Sequence, residues 1–438
     1  MRLAVLLCAT LLSTTLVACG DADDPPDAGA GGSGEDAGAG GSGGTWPDVD
    51  VEVHWGECPW GPGECTVFDV PLDWEAPEGE AKLPFFVRRI PTRVSPARGQ
   101  LWLLQGGPGS AGWSMVPIAD EFARIAPGYD ILIPDYRGNG YSAWLGCEGE
   151  EDEASLTCLR ALQSEWGADN LRHFSTTAAA HDIRWAVEAI RRPGDRVLFY
   201  GVSYGTFVLN RLLTLHPELA DAAILDSVCP AQGCDVRMDV NAVRVAQHAF
   251  SLCGADPFCS SKLGADPWSR AMALFDDLAA GHCSEFLGYP SNAAVLRELM
   301  VFGILDPQTL PLALASIYRA ERCDPADVLA LERLIDQLAG ASAFSGYELE
   351  GAESSDALNL HIVFSEFWPE GLTKAQVEAE LAELPFEIGT LRHWAGRRQI
   401  WPWPIVPTPA EEKRWSATTA SLLLLNGDLD AQTHVDGL

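Results

Sequence analysis

The first strongly apolar stretch of the chain, residues 3–17 behind Met1-Arg2, is continuous rather than periodic, and a tract of Gly, Ser, Asp and Ala follows it. A charged start and an apolar run too short for a stable membrane anchor, followed by a segment that cannot bury a core, predict a targeting signal and a mobile acidic stalk. From about Trp55 the pattern turns to short apolar runs bounded by turn residues. Residues 65–74 and 82–90 read as a leading antiparallel pair, and 100–104, 129–134, 196–200 and 222–225 as short buried strands. Residues 176–191 have helical periodicity, and 206–213 continue as an apolar helix. This alternation predicts a doubly wound, mostly parallel α/β sheet. It stops near Cys229: the pattern is mostly helical and rich in tryptophan up to Arg414, and a strand returns only at 420–425. A helical cap inserted between two strands of one catalytic domain explains the interruption better than a second independent domain. The expected division is a signal over 1–19, a linker over 20–45, a catalytic domain over 46–228 and 415–438, and the cap over 229–414.

The segment with most chemistry is Gly201-Val202-Ser203-Tyr204-Gly205, directly after Val197-Leu198-Phe199-Tyr200 and before the apolar helix. In such a strand-to-helix turn the serine is held in a strained conformation that exposes Oγ, and the flanking positions are glycine because a Cβ there would meet the neighbouring strand or helix. The same pattern at Gly40-Gly41-Ser42-Gly43-Gly44 has neither strand nor helix around it and reads as linker. Ser203 is therefore the expected nucleophile, against the blander alternative of a structural turn serine.

Two further loops follow strand patterns. Gln105-Gly106-Gly107-Pro108-Gly109-Ser110 lets backbone N–H groups approach a ligand oxygen, so Gly107 or Gly106 together with Tyr204 is the expected oxyanion hole. Asp135-Tyr136-Arg137-Gly138-Asn139-Gly140-Tyr141-Ser142 is expected to brace the site rather than to move protons. After the returning strand comes Asn426-Gly427-Asp428-Leu429-Asp430, where the acid of a Ser, Asp, His order belongs; Asp430 is the better candidate and Asp428 the runner-up. A calcium loop here lacks further oxygen ligands at suitable spacing.

Composition adds compartment and exclusions. Of 12 cysteines, Cys8 lies in the signal and Cys19 closes Leu16-Val17-Ala18-Cys19, which resembles a bacterial lipoprotein signal with Cys19 as the acylated residue; ordinary signal cleavage and secretion is the alternative. Ten remain, an even number suited to an oxidising compartment. Spacing groups them as Cys58 with Cys65, Cys147 with Cys158, Cys229 with Cys234, Cys253 with Cys259 and Cys283 with Cys323, without fixing connectivity. Without C-x-x-C pairs or clustered histidines, no metal is expected, and no cofactor. A net charge of −33 argues against nucleic acid or anionic lipid as partners, so membrane contact is expected only through a lipid anchor in the bacterial envelope.

Together, Gly106-Gly107-Pro108-Gly109, Asp135-x-Arg137-Gly138-x-Gly140-x-Ser142, Gly201-x-Ser203-Tyr204-Gly205 and Gly427-x-x-Asp430 resemble the α/β-hydrolase serine peptidases of the prolyl iminopeptidase and tripeptidyl aminopeptidase family. The secreted tripeptidyl aminopeptidase branch fits best, through Cys58, Cys65, Val70-Pro71-Leu72-Asp73, Cys147 and Cys253-x5-Cys259. The resemblance implies removal of residues or short peptides from a free N-terminus, with Glu366 in the cap as candidate partner of the substrate amine; a solvated carboxylate is the alternative. Gln105 stands where the prolyl iminopeptidase side has histidine, so proline specificity is not expected. The family pattern places its histidine tens of residues after the acid, and the sequence ends at Leu438, so an incomplete C-terminal part is expected, with His434 a poor substitute and His181, His216, His248, His282, His361 and His393 packing or surface residues. The same features leave open an esterase, or a non-catalytic envelope-tethered binding protein on this fold.

Overall fold

The computed structural model describes residues 49, 51–149, 152, 154–284, 292–306, 309–344 and 354–435. The signal, with Cys19, and the 20–45 linker lie outside the described residues. Among those described, no helix is long and apolar enough to cross a membrane.

Eight strands form one sheet: β1 (Gly56–Glu57), β2 (Glu64–Pro71), β3 (Lys82–Ile90), β4 (Gly99–Leu104), β5 (Tyr129–Pro134), β6 (Arg196–Val202), β7 (Ala222–Asp226) and β8 (Ser421–Leu425), in the order β1-β2-β3-β5-β4-β6-β7-β8. β1, β2, β3 and β5 pair antiparallel, and β5, β4, β6, β7 and β8 pair parallel. The central strands are apolar on both sides because both faces are covered. Trp102, Leu104 and Leu132 enter one core with the helices Thr176–Ile190 and Tyr204–Leu215, while Leu101, Leu103, Ile131 and Ile133 enter another with the helix Val116–Ile125.

Two differences from the expected pattern have clear causes. The strand expected over 65–74 is β2 and ends at Pro71, because Trp74 leaves the sheet to donate its Nε1–H to Asp182 at 2.9 Å. β8 is apolar yet exposed along its whole length: Leu422, Leu423, Leu424 and Leu425 are 42%, 51%, 43% and 43% exposed, since β7 is its one neighbour among the described residues. Between β7 and β8 the described chain is helical from Met238 to Ile400, with a core of its own around Phe250, Phe275, Leu296 and Ile317.

Among the described residues five disulfides join Cys58–Cys65, Cys147–Cys158, Cys229–Cys234, Cys253–Cys259 and Cys283–Cys323, the grouping that spacing favours. Such a set marks an exported protein of an oxidising compartment.

Candidate active site

Ser203 sits between β6 and the helix Tyr204–Leu215 with φ 54° and ψ −125°, a backbone conformation that costs a non-glycine residue about 1–3 kcal/mol. The surroundings hold it there. Ser203 N–H donates to Asp226 O (3.0 Å), and Ser203 O accepts from Thr206 N (2.9 Å) and Thr206 Oγ1 (2.7 Å). Thr206 Oγ1 in turn accepts from Cys229 N at 2.9 Å, which ties the turn to the loop after β7. The flanking glycines are sterically required. A Cβ on Gly201 would stand 2.6 Å from Gly205 O, and one on Gly205 would stand 2.2 Å from Leu104 O and 2.7 Å from Gln105 O. This crowding is the reason the motif has glycine on both sides of the serine.

The glycine loop lies directly against the serine: a Cβ on Gly106 would be 3.0 Å from Ser203 Cβ and 3.4 Å from Oγ. Four of its carbonyls are anchored. Tyr136 Oη donates to Gln105 O (3.1 Å), Asn359 Nδ2 to Pro108 O (2.9 Å), Ser355 N to Gly109 O (2.9 Å) and Asn139 Nδ2 to Ser110 O (2.8 Å). Tyr204 opens its helix, so its N–H lies in the first turn, which has no i−4 acceptor within the helix. Two of these anchors, Ser355 and Asn359, come from the helical insert, at the start of the helix Asp356–Ile362. The insert thus fixes the loop next to the nucleophile.

The loop after β5 is a brace. Buried Asp135 accepts from Gly112 N (2.6 Å) and Tyr141 N (2.9 Å), and burial raises its pKa to about 6 against those hydrogen bonds. Arg137 binds Asp182 through Nε (2.7 Å) and Nη2 (2.6 Å), and reaches Leu72 O and His173 O through Nη1. Asp182 is pushed up by burial and pulled down by Arg137.

The structure distributes the remaining expected site residues as follows. Register aligns Val202, Asp226 and Leu425, so the loop after β8 emerges at the same end of the sheet as Ser203. Asp430 is half-buried there, and its carboxylate closes its own turn: Oδ1 accepts from Gln432 N (2.8 Å) and Thr433 N (3.0 Å), and Oδ2 accepts from Thr433 Oγ1 (2.6 Å). Asp428 pairs with His248 Nε2 at 3.0 Å on an exposed face. No histidine among the described residues hydrogen-bonds the Ser203 hydroxyl. His181 and His216 are buried against each other (3.0 Å), with pKa values lowered to about 3 and about 4, chiefly by desolvation. His361 is buried beside Trp403 and lowered to about 4 by the same cause.

Glu366 is not a solvated carboxylate. It lies in a single π turn, Val363–Phe367, a feature frequent at functional sites, and its side chain is 1% exposed. Oε2 faces Arg211 Nη2 at 3.3 Å and accepts from Thr408 Oγ1, while Oε1 is buried with no hydrogen-bond partner among the described residues. Arg211 also binds Glu412 at 3.0 Å, so one guanidinium is shared by two carboxylates.

The strand order, the strained serine and the glycine loop define an α/β-hydrolase. Residues 101–244 match the family model described as alpha/beta hydrolase fold. The chain is 29% identical over 209 residues to a tripeptidyl aminopeptidase of Streptomyces coelicolor, covering 40% of this chain and 38% of the relative. It is 24% identical over 244 residues to serine protease Hip1 of Mycobacterium tuberculosis (49% and 45% covered), and 27% over 166 residues to a proline iminopeptidase of Aeromonas sobria (37% and 37%). The matches span less than half the length of these curated relatives. The chain thus has the α/β-hydrolase fold, and the curated proteins it resembles are peptidases.

Proposed function

We propose that the protein is a serine exopeptidase that releases residues or short peptides from free N-termini through an acyl-enzyme on Ser203. The observation that carries this is the glycine-loop backbone packed against a serine whose φ of 54° is locked by Thr206 and Asp226. Ser203 Oγ attacks the carbonyl carbon, the Ser203 proton passes to a general base, and the Gly107 (or Gly106) and Tyr204 N–H groups take up the oxyanion. The base returns the proton to the leaving nitrogen as the tetrahedral intermediate collapses and expels the amine; it then deprotonates a water that hydrolyses the ester and returns the proton to Ser203 Oγ.

Asp430 is proposed as the acid that orients the base. Its present bonds to Thr433 and Gln432 fix the carboxylate at the active end of the sheet. The base itself must reach Ser203 Oγ for turnover. Glu366 Oε1, buried and unpartnered, is proposed to receive the substrate ammonium, whose charge would supplement Arg211 and leave neither oxygen unsatisfied. Cys19 is proposed to carry the lipid that tethers the exported protein to the envelope.

The test compares hydrolysis of a tripeptidyl p-nitroanilide with a free amine, its N-acetylated form and a simple acyl ester. An exopeptidase prefers the free amine by a wide margin and loses that preference in Glu366→Gln. Equal cleavage of the acetylated compound, or cleavage of the ester alone, would make the protein an esterase.

A further inference from the structure

At the end of the sheet away from Ser203 the edge of β2 is open. β1 meets β2 only at Gly56↔Cys65 and Glu57↔Glu64, so Thr66 to Pro71 have no partner on that side among the described residues. The stretch 51–55 runs past this edge without pairing, and the space between them is a groove of ≈ 830 Å³, within the range of about 300–1,000 Å³ typical of ligand sites. Trp55, Val67, Phe86 and Tyr141 give it an apolar lining, and Val67 at its middle is 55% exposed. The edge carries no lysine, the usual guard against strand addition.

Charge decides what the groove can hold. Glu52, Glu57 and Asp69 stand exposed around it. The nearby cations are already engaged: the Arg89 guanidinium stacks on Trp55 at 4.0 Å and pairs with Glu64, and His54 lies 3.9 Å from Glu52. The chain as a whole carries −33, which draws cations toward it. The chain's own 20–45 segment holds Asp and Glu but no Lys or Arg, so the same rim repels it.

We propose that this groove binds an extended basic peptide segment as an added strand on β2. Backbone hydrogen bonds to the open edge supply affinity; on the face that Val67, Phe86 and Asp69 share, the peptide's lysines lay their aliphatic stems along Val67 and Phe86 and place their ammonium groups beside Asp69, while the alternate valines take the opposite face. Four strand spacings, roughly 19 Å, separate β2 from β6, so the groove acts on capture of a long polypeptide and not on the chemistry at Ser203.

The test measures fluorescence anisotropy of an N-acetylated, C-amidated hexapeptide of alternating lysine and valine with the full chain; acetylation removes the amine that the active site is proposed to recognise. The expected results are saturable binding that weakens by about tenfold or more in Asp69→Lys and in Val67→Lys, that persists in Ser203→Ala, and that fails for the glutamate–valine peptide. Both altered residues are exposed, and circular dichroism confirms their folds. Equal binding by the two variants, by the acidic peptide or by a backbone N-methylated peptide would overturn the proposal. Tighter binding after deletion of 20–45 would do so too, because the occupant would then be the chain's own stalk.

Discussion

Replacing Asn359 with leucine separates the role of the helical insert in positioning the glycine loop from its role in stability. Asn359 Nδ2 donates to Pro108 O at 2.9 Å, and the variant leaves that part-buried carbonyl without its donor, a loss of about 1–3 kcal/mol. In a protein of this size such a loss lowers Tm by only a few degrees, about 2–4 °C per kcal/mol at most. The kinetic effect comes from the adjoining residues. An oxyanion donor is worth about 10² to 10³ in rate, but three anchors remain on Gln105, Gly109 and Ser110, so the loop loosens rather than collapses. The labelling rate constant of Ser203 with a fluorophosphonate, which needs the base-activated nucleophile and the hole but no deacylation, should therefore fall about tenfold, equivalent to about 1.4 kcal/mol. Asn359→Asp, which cannot donate once ionised, should behave alike. A fall in Tm with an unchanged labelling rate would show that the insert stabilises the fold without positioning the loop.

Other substitutions test the surroundings. Asp182→Asn leaves the Arg137 guanidinium, 1% exposed, without its counter-charge, and urea unfolding should show a loss of about 3–5 kcal/mol. The lowered pKa values of His181, His216 and His361 mean that the unfolded chain binds more protons below about 6.5; their contribution is complete above that pH and lost as pH falls toward about 4. Asp135, raised to about 6, and the raised Asp182, Asp239 and Asp356 act in the opposite sense, and His216→Gln should remove part of the histidines' positive slope in denaturant titrations at stepped pH.

Most of the sheet was legible because its strands are short apolar runs between turn residues, and the nucleophile turn because strand, glycines and helix occur together around Ser203. What escaped was set by long-range contacts. Asn359 and Ser355 reach the glycine loop across some 250 positions of chain, with no local signal to mark them. Thr206 follows the motif directly and could have been found, since a hydroxyl in the first helical turn is placed to cap the strained serine carbonyl. The exposure of β8 was hidden, because four leucines in a row read as a buried strand whichever neighbours are present. Glu366 was placed by resemblance, and only the fold shows that it is buried and already shares Arg211 with Glu412.

The central claim is that Ser203 is a nucleophile presented to an oxyanion hole. Treating the exported protein with a fluorophosphonate probe and mapping the adduct by peptide mass spectrometry tests it most directly. The account predicts a single adduct on the peptide containing Ser203, absent from Ser203→Ala and from protein unfolded before treatment. Labelling that persists in Ser203→Ala, or that falls on another serine, would contradict it.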